Sequence, residues 1–205
     1  MKARKLLALA LCASCFVASA GCAGGSRYVP LDAKSLKGHG RIYFVPLGDF
    51  PPDKAQGLRL YYRQKYGLSV ELLARLPLDA SAVNSRRQQL TAEEVVALMK
   101  GAHPELVADP QAILIGLTDD DMYIEQYDWQ FTFSWRQEGR YAVVSDARMT
   151  LGRAGEGLSE SRLRKMVTKN IGVLYYRLAQ SDDPRSVLYK SVGGLRELDR
   201  MGEDF

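Results

Sequence analysis

Short apolar runs alternate with amphipathic segments along most of this chain, and that order restricts the fold more than any other feature. Apolar runs of about four to eight residues between turn residues are typical of buried strands, whereas a 3.6-residue apolar repeat indicates a helix. The order is strand, helix, strand, helix, strand, hairpin and helix, over 42–47, 54–66, 69–76, 91–100, 112–117, 131–146 and 159–178. It predicts an α/β sandwich with a mixed sheet.

Local signals place several of these boundaries. Gly67 follows the first helical segment and predicts its C-terminal end. Thr91 and Glu94 have the spacing of a capping box, which predicts the start of the second helix. The run 112–117 is the most apolar stretch beyond the first 21 residues, so we expect a central strand there. The run 159–178 carries an almost continuous apolar stripe and predicts the longest helix.

The first 21 residues have the layout of a signal peptide, with a basic start, an apolar run over 6–17 and small residues before Cys22. The run is shorter than the ~20 residues of a membrane-spanning helix. The small residues resemble the lipobox of bacterial lipoproteins, which implies lipidation of Cys22 and anchoring at the bacterial cell envelope, facing the periplasm. The alternative is a plain secretory signal cut near Ala20, with Cys22 left as a free thiol.

The cysteine count and the charge argue against internal disulfides and against nucleic acid as a partner. Cys12 and Cys15 would leave with the leader, so the mature chain has one cysteine and no internal disulfide. Removing the three leader cations from the 28 basic residues leaves 25 against 24 acidic ones, a net charge of +1, which disfavours nucleic acid as a partner. The glycines over 23–40 indicate that residues 22–40 are a tether, with the folded domain over 41–205.

Three sequence stretches in the folded part carry a family resemblance. They are ILIGLTDDDMY over 113–123, YAVVSDARM over 141–149 and SVLYKSVGGLRELDRMGEDF at the end of the chain. In this order, around the long helix, they resemble the archaemetzincins, which are zinc-dependent peptidases of the metzincin group. The resemblance covers nearly all of the chain after residue 41 and implies a metzincin-like mixed sheet packed with helices. It also implies that the helix over 159–178 is the former active-site helix.

In that family the long helix carries the motif HExxHxxGxxH, whose histidines hold zinc and whose glutamate accepts a proton from the zinc-bound water. This chain departs from the motif. Matching the Ile-Gly pair of the family to Ile171 and Gly172 puts other residue types at every former metal and catalytic position: Lys169, Asn170, Val173, Tyr176 and Ala179.

A shift by one residue puts Thr168, Gly172 and Leu178 at the ligand positions instead, and neither register supplies a histidine. The methionine that lies under the metal in this family corresponds to Leu188. The second, cysteine-based zinc site of the family has no counterpart beyond Cys22. We therefore expect no catalytic residue, no metal and no cofactor.

Other residues offer weaker candidates. His39 and His103 are the two histidines, and loop positions explain them better than a zinc site does. The three consecutive aspartates over 119–121 are a candidate calcium site, but a strand-end turn held by backbone N–H groups fits their spacing better. Aromatic residues alternate over 127–135, which favours a sheet face in the core over a ligand platform. If that edge is exposed, it is where a metzincin would hold an extended peptide.

Lys169 allows a sharper hypothesis. Its ammonium could take the place of the divalent cation and keep the cleft polar, whereas the alternative is a lysine that reaches solvent from the helix flank. An unchanged stability of Lys169→Met would count against the first of these.

These observations favour a membrane-anchored envelope lipoprotein with a catalytically degenerate archaemetzincin-like domain. We expect it not to be an enzyme but to bind a peptide or an envelope protein, with the membrane as a second partner through the lipid anchor and no nucleic acid. The alternative is a zinc-dependent metallopeptidase with unconventional ligands. A structural envelope protein without a cleft ligand is a third possibility.

Overall fold

A computed structural model describes residues 31, 32, 35–150 and 155–205, except for the side chain of residue 156. The predicted signal peptide and Cys22 lie outside these residues. The strands are Arg41–Pro46 (β1), Val70–Leu72 (β2), Val83–Asn84 (β3), Gln89–Thr91 (β4), Ala112–Thr118 (β5), Met122–Tyr123 (β6), Ser134–Gln137 (β7) and Tyr141–Ser145 (β8). The helices are Pro52–Tyr66 (α1), Ala92–Ala102 (α2), Pro104–Ala108 (α3), Glu156–Leu174 (α4) and Leu195–Arg200 (α5). Among the described residues, no helix is both long and apolar enough to cross a bilayer.

The main sheet has five strands in the order β2-β1-β5-β8-β7. The first four are parallel, and β7 pairs antiparallel with β8 at one edge. β5 lies between β1 and β8, and all of its residues are buried, as expected from its apolar sequence. A second, small sheet has the order β3-β4-β6. The predicted α/β fold with a mixed sheet is confirmed.

Helices cover both faces of the main sheet, because alternate side chains of β5 point to opposite sides. Ile113 and Ile115 join a core cluster with α1 and α4, whereas Ala112 and Leu114 join a cluster with α2. The α4 helix therefore lies on the same side of the sheet as α1, and its C-terminal half faces the edge strand β7.

Some predicted boundaries are right and others are wrong. α1 ends at Gly67, which adopts the left-handed conformation (φ 67°) and donates its N–H to the Arg63 carbonyl, as predicted. The capping box does not form, because the Thr91 side chain makes no cap and bonds the Tyr123 hydroxyl instead. The long helix ends at Leu174 rather than at 178, since Arg177 turns into the left-handed region (φ 58°).

The predicted tether is shorter than expected at its C-terminal end, because residues before 41 pack on the domain. The His39 N–H donates to the Tyr175 carbonyl at 2.9 Å. A Cβ at Gly38 would lie 2.0 Å from the Tyr175 ring, so that position requires glycine. The side chain of Leu36 packs against the core cluster that contains α4.

Candidate functional site

A groove of about 870 Å³ lies beside β7 and the C-terminal half of α4. The loop over 124–133 forms one wall, and the segment over 190–193 forms another. α4 contributes Met166 and Lys169 to the lining, and β7 contributes Ser134, Trp135 and Arg136. Of the five positions that the resemblance implied for the former active site, Lys169 lines this groove.

The second register considered for the family motif places two of its three ligand positions in the core. Thr168 is fully buried, and its hydroxyl shares a hydrogen bond of 3.0 Å with the Tyr62 hydroxyl on α1. A Cβ at Gly172 would lie 2.6 Å from the Phe205 ring and 2.7 Å from Leu188. Thr168 and Gly172 thus face the core, whereas Lys169 lines the groove.

Lys169 is 4% exposed, and its ammonium donates a hydrogen bond to the backbone carbonyl of Tyr189. Burial, together with the smaller effect of the positive charge of Arg136, lowers the pKa of Lys169 to about 8. The side chain does not reach solvent from a helix flank. It lies inside the groove, as the cation-replacement hypothesis requires, but its hydrogen-bond partner is a carbonyl and not a carboxylate.

Asn170, at the position of the catalytic glutamate, ties α4 to β7. Its amide nitrogen donates to the Ser134 hydroxyl at 2.9 Å and to the Met166 carbonyl at 2.7 Å. Its carbonyl oxygen accepts from the Arg136 guanidinium at 3.2 Å. Burial lowers the pKa of Arg136. Asn170 therefore positions Arg136 and cannot act as a proton acceptor, since an amide is not basic.

The segment at the Met-turn position contacts α4 in two ways. Leu188 is buried and packs toward Gly172. The next residue, Tyr189, supplies the carbonyl that accepts from Lys169. The Leu188 N–H is held by the Ser186 hydroxyl at 3.1 Å, which fixes this turn beneath the helix.

The remaining former metal positions lie apart from the groove lining. Val173 packs against the core cluster, and Tyr176 is buried with its ring 5.3 Å from that of Phe205. Ala179 is exposed. An ammonium, an isopropyl group and a methyl group do not fit zinc, which needs nitrogen, sulfur or oxygen donors. Within the described residues, no group of three or more histidine, cysteine, aspartate or glutamate side chains could hold a metal ion.

The aromatic residues over 127–135 differ from the predicted core sheet face. Tyr127 and Trp129 are 43% and 54% exposed, and their rings stack with centroids 4.7 Å apart. Only Phe133 of the five is fully buried, and residues 127–133 form no strand. All five line the groove. The prediction of a core face is wrong, because the alternation belongs to a loop that bends over the edge of the sheet.

The other candidates do not gather at the groove. His39 is exposed, and the Nδ1 atom of His103 lies 3.6 Å from a Glu105 carboxylate oxygen. Asp121 accepts from Arg148 at 2.7 Å and from Gln89 at 2.8 Å. The aspartate turn is therefore held partly by side chains and not by backbone N–H groups alone.

β7 presents a free edge along the groove. The Ser145 N–H donates to the Phe133 carbonyl, and the antiparallel alternation then directs the backbone groups of Ser134 and Arg136 away from β8. The Thr132 hydroxyl bonds both the N–H and the C=O of Ser134, so among the described residues it is Arg136 whose N–H and C=O on this side of β7 have no partner. The sequence analysis did not identify Arg136 as a site residue. A usable signal was its place next to Trp135 in a predicted strand, because successive side chains of a strand point to opposite faces of the sheet.

Comparison with solved structures identifies the scaffold. An archaemetzincin from Archaeoglobus fulgidus, complexed with malonate, matches with a TM-score of 0.65 and 22% identity over 80% of this chain and 94% of that one. An archaemetzincin from Methanopyrus kandleri matches with a TM-score of 0.63 and 24% identity over 80% and 89%. A zinc-dependent peptidase from Methanocorpusculum labreanum matches with 0.65 and 18% over 80% and 95%. No protein-family model and no curated protein matches the chain.

These matches contradict the expectation that the protein is not an enzyme, because the structures that share its fold are peptidases. That expectation gave too much weight to the lost histidines and too little to the retention of the whole scaffold. The protein has the archaemetzincin fold.

Proposed function

We propose that this protein binds an extended polypeptide in the groove beside β7. The single observation that carries the proposal is the free edge of β7 along a groove on a peptidase scaffold. An extended peptide can add a strand to such an edge through backbone hydrogen bonds, with its side chains in flanking pockets. The N–H and C=O of Arg136 are the groups that would pair with it.

The walls of the groove suit such a ligand. Tyr127 and Trp129 form an exposed stacked pair, and Phe131 adds a third ring on the same wall. Exposed aromatic pairs of this kind are uncommon on monomer surfaces away from binding sites, and tryptophan and tyrosine carry much of the energy in interfaces. Apolar side chains of the peptide would contact these rings while its backbone pairs with β7.

Hydrolysis of the bound peptide is the second candidate function, and the three peptidase matches favour it. The residues at the former ligand positions do not fit zinc, so we derive no step through a metal. The candidate is tested by incubating the full chain with a pool of decapeptides, with added zinc or with EDTA, and detecting new termini by mass spectrometry. New termini that disappear with EDTA would support zinc-dependent cleavage, and an intact pool under both conditions would overturn it.

The binding proposal is tested with the full chain purified in detergent and immobilised. A randomised pool of linear decapeptides is passed over the protein, and retained peptides are identified by mass spectrometry. Trp129→Ala should weaken binding of the retained peptides by about tenfold, which is the usual order for loss of an interface tryptophan. Leu60→Ala is the matched control, since Leu60 is an exposed apolar residue on α1, at the other end of the sheet.

The pairing mode is tested on the ligand, so that protein folding does not enter. Methylation of the one peptide nitrogen that donates to the Arg136 carbonyl should weaken binding, whereas methylation of its two neighbours should not, because their N–H groups face away from the edge strand. Uniform tolerance of methylation would contradict strand addition. Equal retention by the wild type and Trp129→Ala would overturn the proposal for this groove.

We also propose that Cys22 is lipidated and holds the domain at the bacterial envelope, on the strength of the sequence alone. Metabolic labelling with a palmitate analogue should mark the wild type and not Cys22→Ser. The variant should leave the membrane fraction. A labelled Cys22→Ser protein, or an unlabelled wild type, would contradict lipidation of this residue.

A further inference from the structure

Two cations line the groove, and within the described residues neither forms an ion pair with a carboxylate. Lys169 on α4 and Arg136 on β7 both line it, and the Arg136 guanidinium donates to the side chain of Asn170, the residue next to Lys169 on α4. Like charges held together away from water destabilise the folded state unless something compensates them. An uncompensated pair at the floor of a groove indicates a site that a ligand completes.

The neutral partners of these cations leave donors available. The lysine ammonium has three N–H groups, and one of them goes to the Tyr189 carbonyl. The Arg136 guanidinium has five, and its hydrogen bond within the described part of the chain goes to the Asn170 carbonyl. Both partners carry only partial negative charge, so the net charge of the pair persists.

Within the part of the chain that the structure describes, carboxylates do not supply the missing charge. Lys190 also lines the groove, but it pairs with Asp182 at 2.6 Å. Asp128 carries the one carboxylate among the lining residues that the structure describes, and it is exposed. The pKa of Lys169 is shifted by burial and by Arg136, and that of Arg136 by burial, with no contribution from Asp128.

We propose that the groove recognises a carboxylate of its peptide ligand, held by the Lys169 ammonium and the Arg136 guanidinium. The inference rests on the proposed peptide binding and names the ligand class. Arginine offers a planar pair of donors that matches a carboxylate, and lysine adds a point charge. The same β7 residue thus pairs with the peptide through its backbone and with the ligand charge through its side chain.

A peptide has two sources of this chemistry, its C-terminus and an acidic side chain. Four probes separate them: acetyl-AVAVA with a free C-terminus, the same peptide as the amide, and the amides of acetyl-AVDVA and acetyl-AVNVA. Binding to the full chain is measured by calorimetry at pH 7. One carboxylate form should bind about tenfold or more tightly than its neutral counterpart, the usual order for charge-assisted hydrogen bonds.

Substitutions then assign the effect to the two cations. Lys169→Met and Arg136→Met should each remove most of the preference for the carboxylate form while the neutral peptides still bind. Lys190→Met should keep the preference, because Lys190 lines the same groove but is already paired. A preference that survives both groove variants would overturn the proposal.

The outcomes also separate this inference from the proposed function. Equal binding of all four peptides would overturn carboxylate recognition and leave peptide binding intact. If none of the four binds, acetate is titrated into protein labelled with ¹⁵N-lysine. An acetate-dependent shift of the Lys169 resonance, absent in Arg136→Met, would support a carboxylate site without peptide binding, and no shift would overturn both.

Discussion

The two halves of α4 each bury positive charge, but the partners of that charge differ between them. In the N-terminal half, Arg162 is 5% exposed and donates to both carboxylate oxygens of Asp199, at 2.7 and 2.8 Å. In the C-terminal half, Lys169 is 4% exposed and bonds a carbonyl, beside the further cation Arg136. The first arrangement holds α5 against α4, whereas the second leaves charge open toward a groove.

Burial of a cation does not by itself indicate a ligand-binding site. Arg162 also donates to the Met149 carbonyl at 2.6 Å, and Lys165 bonds two carbonyls at the end of α5. These bonds explain the buried charges of the first half as part of the packing. Lys169 and Arg136 have no such carboxylate within the described residues, and they line a groove instead.

We expect the largest effect from removing the carboxylate that pairs with Arg162 in the N-terminal half of α4. Asp199→Ala leaves the Arg162 guanidinium buried without its carboxylate, which should lower the free energy of unfolding by about 3 kcal/mol. Partial exposure of the Asp199 side chain keeps the loss below that of a fully buried pair. Urea denaturation measures it, with Asp182→Ala as a control on an exposed pair. Equal stability of the two variants would show that the Arg162–Asp199 pair contributes no more than an exposed pair, which would contradict the difference between the two halves of α4.

Lys169→Met should have the opposite sign and stabilise the protein at pH 7 by about 2 kcal/mol, because it removes a charge that burial penalises. The pKa of Lys169 is about 8 in the folded protein and lies near 10.5 in an unfolded chain. Between these values the unfolded chain holds more protons, so wild-type stability rises with pH relative to the variant. Urea denaturation of both proteins from pH 7 to 10.5 measures the difference. A variant less stable than the wild type at every pH would show that Lys169 has an anionic partner.

Asn170→Ala should lower the free energy of unfolding by about 1–2 kcal/mol, since it removes the hydrogen bonds that join α4 to Ser134 and Arg136. It should also weaken carboxylate binding, because Arg136 loses its positioning partner. Calorimetry with the four peptide probes measures the second effect. Thr168→Val, two residues away on the core face, is the control and should leave binding unchanged.

Much of the fold follows from local sequence. The glycine at 67 ends α1 because only glycine adopts the left-handed conformation there without strain, and the apolar run over 112–118 becomes the central strand. The order of elements gave the mixed sheet. The end of α4 could not be read this way, because Leu178 packs against the core from outside the helix and extends its apolar stripe.

The candidate site was predicted less well. The position of Lys169 came from a family resemblance, but the sequence allowed two registers, and the core contacts of Thr168 and Gly172 distinguish their faces. The alternating aromatic residues resemble a strand because a period of two is common to strands and to some extended loops. Arg136 is recognised as a site residue by its hydrogen bond to Asn170, which lies 34 residues away in the sequence.

The sequence by itself determined the order of strands and helices and the departure from the zinc-binding motif. The tertiary structure alone decided that Lys169 and Arg136 share one groove beside a free strand edge, while Arg162 lies with a carboxylate. The physical reason is that local propensity depends on neighbours within a few residues. The balance of charge at a site depends on long-range contacts between α4, α5 and the edge of the sheet.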